Sequence, residues 1–134
     1  MNNNIQESYC SFEVSKLLKE KGFNVGSKLY YNDDELGKEF GLCNVNILYK
    51  NSYPNNIIEV PTHSLAIEWI RVNFGIWIQT LYSYTDSRDE YHYHYEIFYR
   101  NNRVRKFKAS ARYYNSPQEA TEAALLYTLQ NLIK

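Results

Sequence analysis

Between Gly75 and Tyr114 apolar and polar residues alternate with the period of a β-strand. The segment reads IWIQTLYSYT, a polar DSRDE, YHYHYEIFYR, Asn-Asn, then RVRKFKASARYY, and it predicts three strands in an antiparallel meander. In the first strand Ile76, Ile78, Thr80, Tyr82 and Tyr84 share one face, and Trp77, Gln79, Leu81 and Ser83 the other. In the second, Tyr91, Tyr93, Tyr95, Ile97 and Tyr99 alternate with His92, His94, Glu96, Phe98 and Arg100. A loop at 86–89 sets Tyr84 opposite Tyr91 and Ile78 opposite Ile97, which aligns the Ile/Tyr rows on one face. A type I′ turn at Asn101-Asn102 would set Tyr99 opposite Val104 and Phe98 opposite Arg105.

Three helices flank this meander. Ser11 caps the first, which carries Phe12, Val14, Leu17 and Leu18 and ends at Gly22. Thr62 caps the second, where Leu65, Ala66, Trp69, Ile70 and Phe74 recur at helical spacing before Gly75. Ser116-Pro117-Gln118-Glu119 is a capping box for the third, with Leu125, Leu129 and Leu132 on one stripe. Residues 24–60 are less regular. They predict strands at 27–32, 44–50 and 57–60, a loose loop over DDELGKEFGLC and a turn at NSYPNN. Residues 1–10 are polar and are expected to be flexible. Together these elements predict one α+β domain over residues 1–134, mainly antiparallel sheet with helices on one face.

Composition and charge narrow the function classes. The chain has 134 residues, 44% of them hydrophobic, enough for a self-sufficient core. Its net charge of zero argues against general binding to nucleic acid or membrane surfaces. Cys10 and Cys43 are far apart, with no CxxC, which fits a reducing compartment. The opening MNNNIQESYC has no apolar core of a signal peptide, and no apolar run is long enough to cross a membrane, so a cytoplasmic protein is expected. Fourteen tyrosines, with abundant asparagine and isoleucine, fit both an AT-rich coding bias and a stacking surface for a ring-bearing ligand.

Motifs for catalysis are missing. The chain has no GxSxG, GxGxxG or GxxxxGK[ST], and the acids Asp33, Asp34 and Glu35 sit in a polar loop. A non-enzymatic protein without cofactor is expected. His92, His94 and Glu96 point to one side of a strand, but His92 and Glu96 would stand about 13 Å apart, too far for one metal ion. His63 is the remaining histidine, and no third ligand is evident. The stronger signal is charge: Arg100, Arg103, Arg105, Lys106, Lys108 and Arg112 follow one another with no acid between them. Basic groups can hold phosphate and aromatic faces can stack on bases. An edge strand protected from aggregation would carry the same charges.

Three passages, VSKLLKEKGF (14–23), VPTHSLAIEWIRVNFGIWI (60–78) and YYNSPQEATEAALLYTLQNLI (113–133), resemble small proteins encoded by phages and prophages of Bacteroides-type gut bacteria. The resemblance implies a mobile-element protein acting inside a bacterial host cell. It carries over no functional residues. The expected function is sequestration of a phosphate-bearing or nucleotide-like small molecule, as in counter-defence, with Trp77, His92, His94, Arg103, Arg105, Lys108 and Tyr113 as ligand-binding candidates. The alternative is a protein-interaction or assembly module, binding its own copy or a host protein through the Tyr-rich sheet. A DNA-binding regulator is the weaker alternative, since no helix is both basic and exposed.

Overall fold

The computed structural model describes residues 8–25, 29–32, 43–44, 57–87 and 90–133. They form α1 (Phe12–Glu20), β1 (Leu29–Asn32), β2 (Cys43–Asn44), β3 (Ile57–Val60), α2 (His63–Phe74), β4 (Trp77–Thr85), β5 (Glu90–Asn101), β6 (Val104–Ala109) and α3 (Pro117–Tyr127). A π-helical turn at Thr128–Leu132 continues α3.

Each helix starts where a hydroxyl can accept one of the free N–H groups of the first turn. The Ser11 hydroxyl accepts from the Val14 N–H at 3.2 Å, Thr62 from Leu65 at 3.1 Å and Ser116 from Glu119 at 3.1 Å. The carboxylate of Glu119 reaches back to the N–H of Asn115, one residue before the cap. Gly75 ends α2 at φ 68°, a left-handed conformation that glycine takes without penalty. After α1, Gly22 at φ 98° turns the chain so that Phe23 folds back onto Trp69, with ring centroids 5.3 Å apart.

The fold is α+β, as the patterning predicts. β4, β5 and β6 form one antiparallel sheet in sequential order, and β2, β1 and β3 a second, smaller one. In the first hairpin Tyr84 faces Tyr91 and Ile78 faces Ile97. The second hairpin differs from expectation. Its turn lies at Asn102-Arg103, at φ 51° and 66°, so Asn101 pairs with Val104, Phe98 with Phe107 and Arg100 with Arg105. The shift exchanges a Phe/Arg pair for an aromatic pair at 5.2 Å, at the cost of holding an arginine in the left-handed region. Pairing moves by two residues, so each side chain keeps its predicted face. Arg103→Gly, which makes the Asn-Gly turn favoured for type I′, is expected to stabilise the fold by about 1 kcal/mol in urea denaturation.

The Ile/Tyr face of the larger sheet is the covered one. α3 lies across β4 and β5 on this side. Ile78, Tyr95 and Ile97 are buried there with Ala124, Leu125 and Leu129 of α3 and the π-helical turn, and α1 and α2 add Leu18, Trp69 and Ile70 to the same core. At the turn the Thr128 hydroxyl donates back to the Ala124 carbonyl at 2.8 Å, competing with the backbone ladder. Within the stretch expected to be flexible, residues 8–10 lie beside α2: the Cys10 N–H donates to the Pro61 carbonyl at 3.0 Å and the His63 N–H to the Ser8 carbonyl at 2.8 Å. The predicted loop at DDELGKEFGLC, apart from Cys43, the turn at NSYPNN and most of the strand predicted at 44–50 lie outside the described residues.

Burial in β3 pushes the Glu59 carboxyl above the usual carboxylate range, and nearby Lys19 offsets this in part. The folded chain therefore holds this proton more tightly than the unfolded one. Stability from this group falls as pH rises from about 4 through the raised value. Glu59→Gln is expected to raise the urea midpoint at pH 7 and to leave it near the parent's at pH about 4.

Candidate functional site

The uncovered face of the larger sheet carries a row of three aromatic rings. Trp77, Phe98 and Phe107 stand opposite one another on β4, β5 and β6, exposed by 58%, 39% and 55%. So much exposed aromatic surface in one row is unusual for a folded chain, where large apolar patches mark binding sites. The Arg71 guanidinium lies 5.1 Å from the Trp77 ring centre, a cation–π contact. Glu68, one turn earlier on α2, holds Arg71 through two hydrogen bonds, one of them at 3.0 Å.

Next to this row, Arg100 and Arg105 are directly opposed on β5 and β6, and both are exposed. Like charges facing one another across a strand pair are destabilising unless a counter-charge lies between them. Neither arginine is ion-paired among the described residues. A groove of about 330 Å³ opens here, lined by Gly75, Trp77, Phe98, Arg100, Arg105 and Lys106, together with Tyr99.

The structure divides the other predicted site residues. Arg103 occupies the turn and does not line the groove. Lys108 lies on the helix-covered face, its ammonium 5.4 Å from the centre of the Tyr127 ring, so it cannot share a ligand with Trp77. His92, His94 and Tyr113 form a separate cluster further along the sheet. The Tyr113 ring centre is 5.2 Å from that of His92 and 5.9 Å from that of His94. His92 pairs with Glu90 at 3.7 Å and His94 with Glu96 at 3.8 Å. Each imidazole thus has its own carboxylate partner.

A second site lies where three segments distant in sequence meet. The bridge between Tyr9 and Thr62 lays the N-terminal segment against the start of α2. Cys10 and His63 are thereby brought together, 1% and 8% exposed. Glu122, one turn beyond Glu119 on α3, places a carboxylate oxygen 3.1 Å from His63 Nε2, and the Ser11 N–H donates to the same oxygen. Among the described residues this is the group of three whose sulfur, nitrogen and oxygen atoms converge, all within 4.8 Å of one another. They line a cleft of about 850 Å³ with Arg112, Tyr113 and Gln118 among its other walls.

Burial pushes the Cys10 thiol far above its usual range, and the Glu122 carboxylate pushes it further. A ready nucleophile needs the reverse, a thiolate favoured by nearby positive charge. Sequence reading passed over this group because its members are separated by 53 and 59 positions, and Glu122 looks like any exposed helix acid. The available signal was positional: Cys10 precedes the Ser11 cap and His63 follows the Thr62 cap, so both belong to helix entrances.

Comparison of the chain with protein-family models, with curated proteins and with solved structures finds no match.

Proposed function

We propose that the protein binds a nucleotide-like small molecule on the open face of its larger sheet and does so without turning it over. The opposed Arg100–Arg105 pair beside the Trp77–Phe98–Phe107 row carries this reading. A phosphate between the two guanidiniums relieves their repulsion and accepts charge-assisted hydrogen bonds. The neighbouring rings offer faces for a base, and stacking of this kind contributes about 1–3 kcal/mol per base. The groove volume of about 330 Å³ suits a ligand of one or two nucleotides rather than a long strand. Among the described residues its lining supplies guanidinium and aromatic groups, which bind anions and rings, and no carboxylate or imidazole for proton transfer.

The resemblance to phage-encoded proteins suits such a role. A protein that removes a nucleotide signal inside a bacterial host needs affinity rather than chemistry. Isothermal titration with cyclic and linear mono- and dinucleotides tests the proposal: saturable heat with at least one of them is expected, and none with any of them contradicts it.

A second reading rests on a different surface. Tyr82, Tyr84 and Tyr91 lie beyond the helices at the far end of the covered face, exposed by 69%, 45% and 61%, with ring centres 6.2 and 5.0 Å apart. Exposed tyrosine clusters suit the core of a protein contact, with a second copy or with a host protein. Light scattering distinguishes the monomer from a self-associated form.

A further inference from the structure

The cluster of Cys10, His63 and Glu122 is independent of the sheet face, and its donor atoms have a chemistry of their own. We infer that these three side chains form a site for a zinc-type divalent metal ion at the floor of the large cleft. Thiolate and imidazole together select zinc and its borderline neighbours over magnesium or calcium, and a carboxylate completes a common three-residue set.

The spacing agrees. Nitrogen and oxygen atoms bound about 2.0–2.1 Å from one tetrahedral ion stand about 3.3 Å apart. His63 Nε2 and the Glu122 oxygen are 3.1 Å apart, and no pair in the cluster exceeds 4.8 Å. Small side-chain rotations bring all three donors onto one ion. The ion takes the place of the hydrogen bond between His63 Nε2 and the Glu122 oxygen, the neutral imidazole carrying its hydrogen on Nδ1, and the proton on the Cys10 sulfur leaves to solvent.

Charge favours the exchange. A buried thiolate beside a carboxylate is costly without a counter-charge. A dication balances the thiolate and the carboxylate to zero. The support expected around a metal ligand is already in place: the Ser11 N–H donates to the Glu122 carboxylate, as groups behind ligating carboxylates do. Backbone bonds on either side, from Cys10 to Pro61 and from His63 to Ser8, fix the relative position of the two buried ligands. Three protein ligands leave a fourth position for water or for a molecule in the cleft, which all three residues line.

Cobalt(II) and zinc(II) added to chelator-treated full-length protein under reducing conditions test the site. Cobalt is expected to bind one ion per chain with a thiolate-to-metal absorption band and tetrahedral d–d transitions, and zinc is expected to displace it and raise the thermal midpoint. Cys10→Ser should remove the thiolate band, while Cys43→Ser should keep it. His63→Ala should weaken binding by more than the about 10- to 100-fold that loss of a supporting group costs. The parent protein alone decides the case where a variant does not fold: no cobalt band and no zinc-dependent shift overturns the site. A band lost in Cys43→Ser but kept in Cys10→Ser also overturns it, as does zinc affinity unchanged by both Cys10→Ser and His63→Ala.

Discussion

Trp77→Ala is expected to weaken nucleotide binding by about 10- to 100-fold, the equivalent of about 1–3 kcal/mol of stacking, and to leave folding almost untouched. Trp77 is 58% exposed, at the outer face of β4, with the guanidinium of Arg71 5.1 Å from its ring centre. Removing the ring deletes a stacking surface without opening a cavity. Arg105→Ala should reduce affinity comparably by removing one side of the phosphate clamp, and should also relieve the repulsion with Arg100. The double change probes their coupling: a ring and a guanidinium serving one ligand should show non-additive losses. Lys108→Ala is the internal control, because Lys108 contacts Tyr127 on the other side of the sheet. An equal loss of affinity in Lys108→Ala and Arg105→Ala would show that general positive charge, rather than the groove, attracts the ligand. Calorimetric titration of each variant, with thermal melts to establish folding, separates these cases.

The largest effect on stability is expected from Leu125→Ala, at about 3 kcal/mol. Leu125 is 0% exposed and belongs to the core that joins α3 to Ile78, Tyr95 and Ile97 of the sheet. The substitution removes apolar area and leaves a void that close-packed neighbours fill only in part. Leu129 is equally buried, at the π-helical turn. For a domain of this size the loss is a large share of total stability. The chemical-denaturation midpoint reads it directly. A change below about 1 kcal/mol would mean that α3 does not pack on the sheet as described.

Local chemistry made much of the fold legible. Ser11, Thr62 and Ser116 each announced a helix start, because a hydroxyl at that position satisfies a free N–H whatever the tertiary context. Alternation also put Ile78, Tyr95 and Ile97 on one side of the meander, but which side the helices cover was not legible, because it depends on where α3 packs. The second hairpin turn was not legible from its residues. Asn101-Asn102 suits a type I′ turn better than Asn102-Arg103, and only the pairing of Phe98 with Phe107 across the strands reverses that preference.

The two candidate sites differ in the same way. Trp77 and Arg105 meet within one meander, so strand alternation places both on the open face. Arg100 was missing from the predicted set, because its partnership with Arg105 depends on the shifted register. Lys108 was grouped with Arg105 by charge, although alternation sends it to the other side. Cys10, His63 and Glu122 meet only through the docking of an N-terminal segment, a helix start and a C-terminal helix. No periodicity along the chain encodes such a meeting.

Tryptophan fluorescence during nucleotide titration tests the open-face site most directly, since Trp77 is exposed there while Trp69 is buried in the core. Saturable quenching by a mono- or dinucleotide, shifted to higher nucleotide concentration in Arg105→Ala and unchanged in Lys108→Ala, is the predicted result. Fluorescence unchanged by every nucleotide, or quenching that persists when Trp77 is replaced, contradicts it.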